Sequence, residues 1–199
     1  MPLTDAQPSV AENTPQSGAP LNAFVRPHKM SVRALQPEDA SQFQSLRLRG
    51  LSECPEAFAS SYDEEAGEPL VEVAARLRAK PDGAIFGWFT GTELRGIVGL
   101  QREALRKLAH KAYIWGMYVA PEARRGGVGR QLLAHALTYA GNDLGVLQVN
   151  IGVNTKNIPA LKLYESLGFV VYGTERGFLF VNGALHDEYQ MTCCVGSAA

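Results

Sequence analysis

Three arginines and three glycines stand close together in the segment 118–133, Tyr-Val-Ala-Pro-Glu-Ala-Arg-Arg-Gly-Gly-Val-Gly-Arg-Gln-Leu-Leu. Gly126, Gly127 and Gly129 leave little side chain over the chain, so a ligand can approach the backbone closely. An apolar run ends before Pro121 and an amphipathic helical pattern begins near Val128. The first N–H groups of such a helix lack intrahelical acceptors and lie at the positive end of its dipole. With the charges of Arg124 and Arg125 beside them, they suit a phosphate-bearing ligand. Taken alone, the segment reads equally well as a strand–turn–helix connection rich in Gly and Arg. It lacks the Gly-Lys-Ser/Thr ending of a P-loop, and no GxGxxG is followed by a suitably spaced acidic residue.

A second chemical segment follows at 153–169, Val-Asn-Thr-Lys-Asn-Ile-Pro-Ala-Leu-Lys-Leu-Tyr-Glu-Ser-Leu-Gly-Phe. Asn157 is placed to cap a helix, Pro159 falls in the first turn, and Gly168 ends it. Ala160, Leu163, Tyr164 and Leu167 follow an i, i+3, i+4, i+7 stripe. By that pattern Tyr164 is a core aromatic with its hydroxyl at an edge.

Arg124-x-x-Gly127-x-Gly129 resembles the pyrophosphate loop of the GNAT superfamily of acetyl-CoA-dependent N-acetyltransferases, Gln/Arg-x-x-Gly-x-Gly/Ala. Asn157-x-x-Ala160-x-x-Leu163-Tyr164-x-x-x-Gly168-Phe169 resembles that family's second signature, and the two occur in the family's order and spacing. The resemblance runs from about Ser31 to Val195. It implies acetyl-CoA as co-substrate, its pyrophosphate held by Arg124, Arg125, Gly126, Gly127, Val128 and Gly129. It also implies that the backbone of Met117, Tyr118 and Val119 pairs with the pantetheine arm, one N–H there polarising the thioester carbonyl. Asn157 is then a cofactor contact, and Tyr164 lies near the sulfur as the candidate general acid.

The elements that must position these residues are legible from pattern. A strand from Ser31 to Leu35 precedes a helix carrying Ala40, Phe43, Leu46 and Leu51. After a loop around Cys54-Pro55 and Ser60-Ser61, a second helix carries Leu70, Val73, Ala74 and Leu77. Residues 84–90 and 94–101 read as a hairpin, and a polar loop, 102–110, leads to a long strand over 111–119. The helix after the glycine loop buries Leu132, Leu133, Ala136, Leu137 and Ala140, and a strand over 146–153 enters the second segment. Residues 169–181, with a break near Gly177, and 184–195 pair across Asn182-Gly183, a strong type I′ hairpin signal. In the last strand Tyr189, Met191 and Cys193 alternate with Glu188, Gln190 and Thr192, as in a half-buried strand. This β-α-α-β-β-β-α-β-α-β-β order is the one the resemblance implies. The expected fold is α/β (α+β), a mixed, mostly antiparallel twisted sheet of about seven strands with helices on both faces. In that family the fourth and fifth strands splay apart around the cofactor arm.

Composition narrows the rest. The 199 residues are 46% hydrophobic, enough for one ordinary domain with a real core, here 30–199. Residues 1–29 hold five of the eleven prolines among polar residues and read as a flexible tail, with Met30 an alternative start. A net charge of −1 and a pI near 6.4 argue against nonspecific nucleic-acid binding. No run approaches the ~20 apolar residues of a membrane span. Cys54, Cys193 and Cys194 show no paired spacing, which favours reduced thiols and a cytoplasmic setting, and the histidines have no metal-ligand spacing. The expected partner is a small-molecule or peptide amine, with a homodimer possible.

Magnitudes rank the chemistry. A lysine-like amine of pKa ~10.4 is about one part in a thousand neutral at pH 7, a deficit of roughly 4–5 kcal/mol, whereas an α-amino group at ~8 needs far less help. Deprotonating the acceptor therefore outweighs protonating the thiolate. The strand over 112–119 carries no carboxylate, so the general base is sought nearby: Glu103 is one candidate, with His110, Glu175, Glu64, Glu65 and bulk water through a chain of hydrogen bonds as alternatives. Phe58, Ser61, Tyr62, Trp88, Trp115 and Phe178 are candidate walls of the acceptor pocket. A catalytically silent acyl-CoA-binding module and a transferase of a longer acyl group are the rival functions.

Overall fold

A computed structural model describes residues 30–196; the tail expected at 1–29 lies outside them. Seven strands form one sheet: β1 (Met30–Ala34), β2 (Gly83–Thr90), β3 (Glu93–Arg102), β4 (Lys111–Val119), β5 (Gln148–Asn154), β6 (Val170–Val181) and β7 (Ala184–Cys194). They lie in the order β1-β2-β3-β4-β5-β7-β6, antiparallel throughout except for the parallel pair β4–β5. Among the described residues five α-helices accompany the sheet: α1 (Ala40–Glu53), α2 (Tyr62–Ala66), α3 (Leu70–Arg76), α4 (Val128–Asn142) and α5 (Ile158–Glu165). None of the described helices is long and apolar enough to cross a membrane.

The helices flank both faces. Leu132, Leu133 and Ala136 of α4 and Tyr164 of α5 pack against Val98, Ile114, Val149, Ile151 and Met191 on one face. Phe43, Leu46 and Leu51 of α1 and Val73 of α3 pack against Phe89, Ile97 and Tyr118 on the other. The sheet's period of two fixes which residues share a face. Since Val149, Ile151, Val153, Met191 and Cys193 face α4, Asn150, Gly152, Glu188, Gln190 and Thr192 belong to the α1 face.

One element was absent from the pattern reading. The segment read as loop at Ser60-Ser61 contains the short helix α2, started by a reciprocal cap in which Ser61 N–H donates to Glu64 at 2.6 Å and Glu64 N–H to Ser61 Oγ at 3.4 Å. Ser-x-x-Glu is a sequence-level signal for such a start. The last hairpin turns as expected, with φ of +50° at Asn182 and +78° at Gly183.

Candidate active site

Strands β4 and β5 pair only from Lys111–Gln148 to Ile114–Ile151. Beyond that point β4 stays with β3 and β5 with β7, so the two part and form a fork. A bulge marks the parting: Gly116 and Met117 together oppose the single residue Val98 of β3. Gly116 adopts φ +62°, a conformation that favours glycine. Past the fork, the β5-side edge of Trp115–Val119 has no strand partner among the described residues.

The side chains of 117–119 are already committed. Met117 and Val119 pack into the α4 core, and Tyr118 is buried under α1 with its hydroxyl donating to Glu53 at 2.5 Å. What these residues offer the fork is their backbone.

The glycine loop ends at Gly127, the N-cap of α4, with φ +76°; Arg125 before it has φ +64°. The first internal helix bond runs from Gln131 N–H to Gly127 O, and no acidic residue stands in the first turn. The N–H groups of Val128, Gly129 and Arg130 therefore have no intrahelical acceptor. Gly129 lets the helix start approach the fork: a Cβ there would lie 3.0 Å from both Met117 Cε and Leu163 Cδ2. The two arginines separate in role. Arg125 is exposed, whereas Arg124 folds back, its Nε donating to Val119 O at 2.8 Å and its Nη2 3.7 Å from Glu53. Arg124 thus ties the loop to β4, and Glu53 offsets part of its charge.

On the α4 face, Asn157 caps α5 by accepting from Ala160 N–H at 3.2 Å. Tyr164 is buried, and its hydroxyl lies 3.8 Å from Met117 Sδ at the β4 bulge. Burial first, and the Glu188 carboxylate second, raise its phenol above the usual range, so it remains protonated.

The structure does not bring Glu103 into this group. Its N–H donates to Lys111 O at the paired end of the sheet. Lys111 lies six residues from Met117 along an extended strand, roughly 20 Å away at ~3.3 Å per residue. The carbonyl of His110 is held at that same end by Leu147 and Gln148 N–H. Glu64 is spent on capping Ser61, and Glu65 on an ion pair with Arg47 at 2.8 Å. Trp88, an expected pocket wall, is buried on the α4 face with its indole N–H donating to Gln131.

Two groups that the sequence did not single out stand at the fork instead. The Glu188 carboxylate lies over Gly152, the first β5 residue past the fork; a Cβ on Gly152 would meet Glu188 Oε1 at 2.2 Å. Gln190 Nε2 donates to Glu188 at 3.0 Å and to Glu175 at 3.2 Å. Burial, opposed by the Gln190 bond and reinforced by Glu175, pushes the Glu188 carboxyl up to about 7. On the other arm stands Arg47, whose side chain is 7% exposed. Its Nε and one terminal nitrogen bind Glu65, and its guanidinium lies 4.8 Å from the Phe58 ring centroid. Its Nη1 is buried without any hydrogen-bond partner and lies 3.3 Å from where a Gly116 Cβ would be.

The comparisons agree with this geometry. A mycothiol acetyltransferase of Thermomonospora curvata is 27% identical over 165 residues, covering 81% of this chain and 51% of that protein. The chain thus spans about half the length of the curated relatives it matches first. Among solved structures, an acetyltransferase of the GNAT family from Streptococcus pneumoniae superposes with a TM-score of 0.77 at 20% identity, covering 83% of this chain and 99% of its own. A putative acetyltransferase from Salmonella typhimurium, solved with its cofactor acetyl-CoA, gives 0.72 at 18% identity, covering 86% and 96%. The model of the acetyltransferase (GNAT) family matches residues 50–169, from within α1 to the end of the second signature, and with the forked sheet and its glycine loop it establishes that this chain belongs to that family.

Proposed function

We propose that this protein transfers an acetyl group from acetyl-CoA to a primary amine by direct attack in a ternary complex. The observation that carries this reading is the fork itself, with Tyr164 approaching it from one face of the sheet and Glu188 from the other. The residues fit the co-substrate: a helix start without acidic side chains suits a pyrophosphate, and an unpaired strand edge suits an amide-bearing arm. Acetyl-CoA supplies a thioester, an acyl carbon bonded to a good leaving group.

The chain's own residues do the rest. Backbone N–H groups of 117–119 orient the arm and stabilise charge on the acyl oxygen. The carboxylate of Glu188 takes a proton from the acceptor nitrogen, and its pKa of about 7 matches that task near neutral pH. As the C–N bond forms and the C–S bond breaks, the Tyr164 hydroxyl returns a proton to the departing sulfur.

An acceptor screen tests the reading: acetyl-CoA is incubated with a panel of amines and products are identified by mass spectrometry. Tyr164→Phe should lower turnover by about 10²- to 10⁴-fold while acetyl-CoA affinity stays close to wild type. Equal turnover would make Tyr164 a packing residue.

A further inference from the structure

We propose that Gln190 is a positioning residue for acetyl transfer: its one side-chain amide bonds both Glu188 and Glu175 and so aims the Glu188 carboxylate into the fork. The proposal rests on the transferase reading, in which Glu188 takes the acceptor's proton, and adds the groups that place it. Strand register shows why such a tie is needed. Glu175 of β6 and Glu188 of β7 are directly opposite each other in an antiparallel pair, where like charges repel. Among the described residues neither has an ion pair; Arg176, next along β6, binds Asp187 at 3.2 Å instead. Among those residues Gln190 Nε2 is also the one hydrogen-bond donor to either carboxylate, at 3.0 Å from Glu188 and 3.2 Å from Glu175. A carboxamide nitrogen carries two N–H groups, one for each, and the reverse orientation would set its carbonyl oxygen against both anions.

Glycines make room for the tie. Gln190 pairs with Gly152 on β5 and with Gly173 on β6, so neither cross-strand neighbour has a side chain to displace it. Glu188 pairs with Asn154, yet its carboxylate lies over Gly152, displaced by one pair toward Gln190. Asn154 does not compete for it, because its amide nitrogen donates to Glu56 O at 3.1 Å and meets His186 Nδ1 at 3.3 Å. Around Glu188, β6 thus presents Glu175, β5 the neutral Gly152 and Asn154, α5 the protonated Tyr164, and β7 itself His186 and Gln190. Arg47 on the β4 arm is bonded to Glu65. The two tied groups act on Glu188 in opposite senses: the Gln190 bond favours its ionised form, and the Glu175 charge disfavours it.

The test titrates the glutamate side-chain carboxyls of the full chain by carbon-13 NMR, the Glu188 signal being the one lost in Glu188→Gln. Gln190→Met keeps the length of the side chain and cannot donate, so the Glu188 midpoint should rise from about 7 by roughly 0.5–1 pH unit. Glu175→Gln removes the facing charge and should lower the midpoint by about the same amount, and the double variant should fall between the two. Turnover is then measured with acetyl-CoA and the amine most acetylated in the acceptor screen, on the pH plateau where Glu188 is ionised. There kcat of Gln190→Met should fall by about 10- to 100-fold, as for a misplaced catalytic group, with KM for acetyl-CoA unchanged. Glu175→Gln keeps the bond from Gln190 to Glu188 and should lose less. Gln190→Thr, a strand former too short to reach either carboxylate, takes its place if Gln190→Met does not fold. Unmoved midpoints, midpoints that move the same way in both single variants, or an undiminished plateau kcat without the Gln190 amide would each overturn this role and leave the transferase reading intact. No product from any amine would overturn both.

Discussion

Glu188→Gln separates the two demands made on this carboxyl, because it should make the protein more stable and less active at once. The folded protein holds Glu188 at about 7 against an ordinary 4.5, a gap of roughly 2.5. At 1.36 kcal/mol per pH unit the full gap is worth ~3 kcal/mol, and partial solvation reduces this to ~1–2 kcal/mol. The sign follows from proton counting. Between 4.5 and about 7 the folded state binds more protons than the unfolded one, so stability falls as pH rises through that window. Glutamine does not titrate and avoids that loss. Thermal denaturation should therefore show wild type and variant alike at pH 4 and the variant ahead by about 2–8 °C at pH 8. Turnover should move the other way, falling by about 10²- to 10⁴-fold, and the acidic limb of kcat/KM near 7 should disappear. A melting difference that stays constant from pH 4 to 8 would refute the burial argument. Full turnover with the limb retained would remove Glu188 from the proton path.

Two further substitutions probe the site by geometry. Gly152→Ala places a Cβ where Glu188 Oε1 lies, at 2.2 Å, so the flexible carboxylate must move. Melting temperature should hardly change while turnover drops by about 100-fold, as for other misplaced catalytic groups; unaltered turnover would show that the carboxylate's position does not matter. Gly127→Glu strains a residue at φ +76° and sets a carboxylate against the pyrophosphate, so calorimetry should detect no acetyl-CoA binding in a protein that still folds. Undiminished affinity would move the phosphate site elsewhere.

What could be read from sequence was contiguous. The glycine loop, the Asn157 cap with Tyr164 seven residues on, and the Asn182-Gly183 turn each place their chemistry within one short segment, where local propensity and spacing decide the outcome. The groups that escaped are assembled across the fold. Glu188 alternates with Tyr189 and Met191, and period-two alternation says which face a residue takes, not whether that face meets solvent or a cleft. Arg47 meets Glu65 from a second helix and Gly116 from the sheet, and its unpaired nitrogen is a property of that assembly alone. Glu103 misled for the opposite reason: it precedes β4 closely in sequence, yet a nine-residue strand carries the fork far from it.

The bulge and the orphan guanidinium are linked through one residue. Gly116 takes the left-handed conformation that lets two residues of β4 oppose Val98, just where the strand parts from β5 and leaves an edge unpaired. Any side chain at 116 would be strained at φ +62° and would crowd Arg47 Nη1, which stands 3.3 Å from the Cβ position. The same absence of a side chain that shapes the fork therefore also leaves room for the buried cation beside it. A regular strand would satisfy its backbone against β5 and close the gap. Here the sheet forgoes that pairing, and the groups left without partners, the β4 edge and Arg47 Nη1, both stand on the β4 arm of the fork.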